Sequence, residues 1–527
     1  MKHLVNFPRS SHWVASVGLG GGLAIGLFCC SVSGAASPTP SVGLNKFDLF
    51  TQYQGVASGG DGGPSYQRVT QAMGKKAIAD AHDIGVPFLR ISATGYAPSV
   101  YGKPGDLDLW RRDPSAYWTL FDQMMADLHA NGMRAVLTIV WNPSQFPAMT
   151  GETLPVMMRN PASKSYTLLS QYVTEFATRY RSHPALMFYE LTNEMNLSAD
   201  IDLVGYCRRS QPAPQCVPLG NYTTEDLVAF TGRLAGLIRK IDPTHPISSG
   251  FSVPRFNAEG LRENPEWKAG KAAPADTRDQ FEHILRDSNE AADVISVHLY
   301  GTDDNKRFGS DDAAALLTEV KKAADHIGKP LFVGEIGDDH ALTAGANSFS
   351  ARMLRNIVEL RVPYSAVWVW EFYQSKPYAT YDSAADDFSL EPGYTDQMIE
   401  KLKQANIDLG NPAPATKGAA TTPPNVVLTW PLECAQLQPK QELYAVASDE
   451  RVKLNRVAFW LDGKKLGQVT SPPYKFELDI ADLPKGEHEI VARAVDTAEN
   501  GSEWKTKVVI GQPVAGSFCA NAAAHQH

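Results

Sequence analysis

The sequence predicts an α/β protein, a (β/α)8 TIM barrel followed by a small all-β sandwich. Three observations carry this. Residues from about 45 to 408 alternate apolar, β-rich runs with amphipathic helical stretches, a pattern that implies parallel strands joined by helical crossovers. Residues 409–424 (LGNPAPATKGAATTPP) have no apolar period and read as a linker, partly extended by its prolines. Short strand-like runs at even spacing fill the rest of the chain as far as residue 511.

The first strand is expected at 47–55 and the second at 86–92, with a helix over 75–84 between them that stops at Gly85. Asp113-Pro114 opens the next helix, as an N-cap followed by proline in the first turn. Its apolar positions Trp118, Phe121, Met125 and Leu128 recur at helical spacing, and Asn131-Gly132 ends it. Strands over 134–141, 186–192, 246–252, 292–300, 330–334 and 364–370 follow. The expected helices among them cover 166–181, 225–241 and 396–405, with one more from a Ser310 cap to Ile327. Eight strands over some 360 residues suit a closed barrel better than an open sheet, and no Gly-rich phosphate loop follows an early strand. In the last segment Asp462-Gly463 reads as a hairpin turn between strands at 455–461 and 465–469, with further strands at 474–480 and 489–495.

Hydrophobic residues make up 43% and charged residues 20% of the 527, the profile of a globular chain with room for two domains. Net charge is −9 with no Lys/Arg run, so no nucleic-acid partner is expected. Lys2 and Arg9 precede an uncharged stretch from 13 to 36 that closes on Ser33-Gly34-Ala35-Ala36, the order of an export signal, read here as residues 1–36. Many glycines and the small-residue end favour cleavage over an uncleaved anchor, and Phe28 and Cys29 are poor neighbours for a lipid-modified Cys30. The expected product is secreted, extracellular or periplasmic, monomeric, and without a stable membrane anchor. The barrel then spans 37–408, the sandwich 425–519 and a tail 520–527. Four cysteines remain, an even number that suggests two disulfides. Proximity pairs Cys207 with Cys216, and Cys434 with Cys519 would staple the sandwich.

In such a barrel, reacting groups stand at the C-terminal ends of strands. FYELTNEMN puts Asn193 and Glu194 at the end of the fourth strand, and LFVGEIG puts Glu335 at the end of the seventh. Two carboxyls facing one cleft can cleave a glycosidic bond, one as proton donor and one facing the anomeric carbon; separations of roughly 5–5.5 Å give retention and roughly 6.5–9.5 Å inversion. Alone, Asn-Glu is a weak signal, and a solvated rim glutamate is the plainer explanation. The neighbours shift the balance: Arg90 ends the second strand, Trp370 the eighth, and His298 and Tyr300 share one face of the sixth.

ELTNE, SVHLY, FVGEIG and the tryptophan of VWVWEF resemble the signature positions of glycoside hydrolase family 5, over roughly residues 45–408. The resemblance implies a carbohydrate substrate and a retaining double displacement, with Glu194 as acid/base and Glu335 as nucleophile. It also implies that Asn193 holds the sugar 2-hydroxyl, Tyr300 donates to Glu335, Arg90 helps keep Glu335 ionised, His298 sits by Glu194, and Trp370 forms the floor under the reacting sugar. One position departs. The family's third strand usually ends in a histidine that contacts the same sugar, whereas here Trp141-Asn142 stands, Asn142 able to replace a hydrogen bond and Trp141 to add a platform. The last segment (VAFWLDGKKLG, SPPYKFELDI, GEHEIVARAVDTAENG) resembles the bacterial immunoglobulin-like modules of secreted hydrolases, with a spacer as its simplest role.

Glu190, on the face of Glu194 but deeper, reads as a structural carboxylate; Glu371, Asp338 and Asp339 are candidate subsite residues that read more simply as solvated loop positions, and Trp368 reads as packing outward under the helices. His82 and His129 fall on helices as ordinary residues. No cluster has metal-ligand spacing and no Gly-x-Ser-x-Gly elbow occurs, so no metal or cofactor is expected. The segment 197–223, carrying Cys207 and Cys216, would wall the leaving-group side. The expected activity is hydrolysis of a β-glycan, β-1,4-glucan or mannan, with an exo-acting β-glycosidase and an inactive sugar-binding barrel as the other readings.

Overall fold

A computed structural model of the chain describes residues 39–55, 70–95, 105–210, 216, 218–269, 274–301, 307–309, 312–337, 348–371, 390, 395–414, 423–431, 433–448, 454–471 and 474–520. The expected export signal, Asp338, Asp339, Ser310, most of the linker and the end of the tail lie outside them.

Eight parallel strands form the first sheet: β1 (Ser41–Asn45), β2 (Phe88–Ser92), β3 (Arg134–Val140), β4 (Leu186–Thr192), β5 (Ile247–Ser248), β6 (Ile295–Tyr300), β7 (Leu331–Gly337) and β8 (Tyr364–Val367). Their order is β5-β4-β3-β2-β1-β8-β7-β6, and a bridge from Ser248 to Val294 joins the two ends. This is the (β/α)8 barrel. Among the described residues, no helix is long and apolar enough to cross a membrane.

Strand alternation layers the barrel interior. Phe88, Val136, Phe188 and Phe332 belong to one buried apolar cluster, which plugs the floor. Two residues further along β2, β3 and β4 the same faces carry Arg90, Thr138 and Glu190, all fully buried. The plug keeps water from below, so the polar layer above it opens only toward the strand ends.

The first strand departs from the sequence reading. The aromatic run 47–55 is not a strand: β1 lies earlier, and Leu49–Gln54 is a short helix ending on Gly55 at φ 69°. Leu49, Phe50 and Tyr53 sit at helical spacing and are buried together, so burial on a helical face overrides the β preference of the aromatic residues. The helix Pro114–Ala130 starts where Asp113-Pro114 predicts, with the Asp113 carboxylate accepting from Ala116 N at 2.9 Å. Its Tyr117 hydroxyl and that of Tyr172, on the helix Lys164–Tyr180, both donate to Ala93 O, at 3.0 and 2.8 Å. Those bonds fix the chain just beyond β2, and with it Arg90. The helix Ala313–Ile327 is capped by Asp312.

The C-terminal domain is an immunoglobulin-like sandwich. Strands β9 (Asn425–Trp430), β10 (Lys440–Ser448) and β13 (Tyr474–Asp479) make a three-stranded sheet. β11 (Leu454–Leu461), β12 (Lys464–Val469), β14 (Gly486–Asp496) and β15 (Gly501–Ile510) make a four-stranded one. Asp462 and Gly463, both at positive φ (49° and 79°), form the tight turn between β11 and β12. Leu428, Leu443, Phe459, Ile490 and Val508 pack between the sheets. Disulfides join Cys207 to Cys216 and Cys434 to Cys519.

Candidate active site

The polar layer of the barrel converges on Arg90. Its Nε donates to Glu190 Oε1 at 2.7 Å, Nη1 to Asn45 Oδ1 at 2.9 Å and Glu335 Oε1 at 2.6 Å, and Nη2 to Asn193 Oδ1 at 2.6 Å. Sheet register makes these meetings possible: Asn45 pairs with Arg90 across β1 and β2, and Thr138 with Glu190 across β3 and β4. Burial works against the guanidinium's charge, but the charges of Glu190 and Glu335 outweigh it, so Arg90 stays protonated.

Glu335 receives a second donor, the Tyr300 hydroxyl, on Oε2. Burial, then the charges of Glu335 and Glu194, push that phenol well above its ordinary range, so it acts as a donor. On the opposite wall Glu194 follows β4 in a left-handed conformation (φ 51°), its N–H bonded to Gly250 O at 2.8 Å. This turn aims its carboxyl back across the mouth, where Oε1 lies 2.8 Å from His298 Nδ1; the same nitrogen is 3.5 Å from Glu335 Oε1. One oxygen of Glu194, one of Glu335 and a His298 nitrogen all lie within 4.8 Å of one another. Among the described residues this is the one grouping that could hold a metal ion, and the donors from Arg90 and Tyr300 already suit Glu335 as an isolated anion.

The two carboxyls differ in exposure. Glu194 keeps 31% of its side-chain surface open, Glu335 only 5%. Burial raises the Glu194 pKa, with Arg90 and a Ser252 hydrogen bond opposing. His298 is fully buried, which brings its pKa down to about 4 and keeps the ring neutral near pH 7. A bulge between Val297 and His298 sets the ring opposite Glu335. Its Nε2 edge packs on Gly334, where a Cβ would lie 2.8 Å from Nε2.

The aromatic wall differs from the sequence reading. Trp370 is not the floor of the cleft. Its side chain is fully buried in the core with Nε1 donating to Ala77 O at 3.0 Å. Trp368, expected to pack outward, instead stacks on Phe47 (centroids 4.9 Å, planes 13° apart), and Phe47 also stacks on Trp141 at 5.3 Å. Phe47 is buried beneath two partly open indoles, and the Arg90 guanidinium lies 4.8 Å from the Trp141 centroid. β8 ends at Val367, so strand parity does not govern the tryptophans beyond it. Asn142 Oδ1 accepts from Ser144 N and Oγ, at 3.0 and 2.7 Å, so its carbonyl serves the local turn. Glu371 is not a solvated loop residue; it is buried, and its carbonyl accepts from Lys46 Nζ at 2.8 Å.

Asn45 and Phe47 therefore join the site without having been singled out, and Trp368 joins it against its expected outward packing. For Asn45 and Phe47 the sequence held a signal, their place just at and after a first strand, obscured by the misplacement of that strand.

Residues 62–374 match the Cellulase (glycosyl hydrolase family 5) family. The chain belongs to that family. As a glycosyl hydrolase of family 5 it is an enzyme with a carbohydrate substrate, and residues 424–492 match a bacterial Ig domain. It is 30% identical over 137 residues to a probable mannan endo-1,4-beta-mannosidase C of Aspergillus terreus, a stretch covering 25% of this chain and 31% of that protein. The match thus spans about a third of its relative's length. Among solved structures, the endo-beta-1,4-mannanase of Thermotoga petrophila shares 16% identity at a TM-score of 0.45, covering 90% of this chain and 99% of that one. The endo-1,4-beta-mannanase of Rhizomucor miehei shares 14% at 0.47, covering 71% and 96%.

Proposed function

We propose that this family 5 enzyme hydrolyses a β-1,4-linked glycan, mannan before glucan, with retention of configuration. The observation that carries the mechanism is the approach of Glu194 and Glu335, with facing oxygens no more than 4.8 Å apart. Inverting pairs stand roughly 6.5–9.5 Å apart to admit a water, so this spacing favours direct attack. Glu335, supplied with donors by Arg90 and Tyr300, is suited to the nucleophile's role. Glu194, more open and with its pKa raised, is suited to protonate the leaving oxygen and then to activate water. With Asn193 Oδ1 held by Arg90, its amide NH2 is the end left to address a sugar hydroxyl, and Trp368 with Trp141 offers flat faces for C–H contacts. Mannan is favoured by the mannosidase relative. Two disulfides support an exported enzyme.

The test is a panel of β-1,4-mannan and β-1,4-glucan with product sizing, and NMR of the products immediately after cleavage. New reducing ends should be β; α anomers reject the double displacement, and cleavage of glucan alone rejects mannan.

A further inference from the structure

Glu190 is the one carboxylate of the polar layer for which the double displacement has no use. It is fully buried, and its Oε1 accepts from Arg90 Nε at 2.7 Å and Thr138 Oγ1 at 2.6 Å. No donor among the described residues reaches Oε2. Gly250 makes room for it, since a Cβ there would lie 2.7 Å from Glu190 Cγ. Burying an anion with one oxygen unbonded is costly, and every hydrogen bond Glu190 makes could be accepted by the neutral carbonyl of a glutamine. Hydrogen bonding therefore does not account for a carboxylate here; its charge does.

Arg90 has two anionic partners, and only one keeps its charge through the reaction. When Glu335 attacks, its oxygen bonds to the anomeric carbon, the glycosidic C–O bond breaks, and the departing oxygen takes the proton of Glu194. The negative charge thus moves from Glu335, bonded to Arg90, to Glu194, bonded to His298. Without Glu190, Arg90 would become a buried cation with no anion in contact, a costly state.

We propose that Glu190 is a positioning residue for the nucleophile, acting through Arg90: it keeps the guanidinium in place and its charge matched while Glu335 is an ester. This rests on the nucleophile assignment above. In the free enzyme the same residue shares Arg90 with Glu335, which weakens the hold of the cation on the attacking oxygen.

The test is Glu190→Gln, which keeps the acceptor and removes the charge, in the full chain, with Glu190→Asp as the charge-retaining control. Trapping uses an activated 2-deoxy-2-fluoro-β-manno-oligosaccharide, with the modified residue located by mass spectrometry. Glu190→Gln should trap about tenfold more slowly, the change one pKa unit of interaction corresponds to. The acid limb of its kcat/KM profile should move about one pH unit lower, because the undivided cation holds the nucleophile ionised further into acid. Glu190→Asp should keep the limb of the native enzyme. An unchanged limb and trapping rate in Glu190→Gln overturn the proposal, whatever its melting temperature. Label on a residue other than Glu335 overturns the nucleophile assignment instead. If Glu190→Gln does not fold, Glu335→Gln decides: with Glu190 matching Arg90 it should melt within about 4 °C of the native enzyme, and a drop beyond about 10 °C sinks the idea.

Discussion

His298 Nδ1 stands 2.8 Å from Glu194 Oε1, and burial drives both groups toward their neutral forms, the imidazole by a lowered pKa and the carboxyl by a raised one. A carboxyl raised in the folded state adds stability below its unfolded pKa and loses it as pH climbs through the folded value. Glu194→Gln should therefore melt higher than the native enzyme at pH 8, with the gain gone near about pH 4, where the acid is protonated in both states. Melting curves across that range check it; a gain independent of pH argues against a raised Glu194.

Removal of each carboxyl should leave a different kinetic signature. Glu335→Gln should abolish turnover while circular dichroism stays native, and appreciable remaining activity refutes the nucleophile. Glu194→Ala should slow natural glycans far more than aryl glycosides with good leaving groups, which need little protonation. Equal losses on both substrates count against the acid role.

The two tryptophans beyond β8 should separate binding from stability. Trp370→Ala empties a fully buried site and breaks the bond to Ala77 O, so a loss of about 3–5 kcal/mol is expected by denaturant titration. Trp368→Ala should cost little stability and raise KM or lower kcat on oligosaccharides. The reverse pattern would restore Trp370 as the sugar platform.

The disulfides differ mainly in the length of chain they close. Cys434–Cys519 spans 85 residues and Cys207–Cys216 spans 9. The chain-entropy account assigns about 4.6 and about 2.6 kcal/mol to loops of those sizes. Melting of the paired alanine variants should show the larger loss in Cys434→Ala/Cys519→Ala; a larger loss in the other pair contradicts that account.

The barrel was legible because its signals are repetitive: strands β2, β4 and β7 are apolar runs bounded by strong caps and turns. β1 was not, since SVGLN offers only two large apolar side chains while the following run is aromatic. The paired carboxyls and Arg90 were legible through their place at strand ends, and His298 and Tyr300 through strand parity. Parity failed at Trp368 and Trp370 because the strand stops before them, and nothing local in the sequence marks that stop. The bonds joining Asn45 and Glu190 to one guanidinium, and Thr138 to Glu190, depend on register between strands distant in sequence, which a single chain does not reveal.

Gly334 has no side chain to offer a substrate, yet it sets how close two strands can bring their functional side chains. A single added methyl there would meet the imidazole of His298 at its back edge and displace it toward the acid pair. In a saturation mutagenesis survey, alanine at 334 should therefore group with the active-site knockouts, and sorting variants by distance from the bound glycan alone would misfile it as a folding defect.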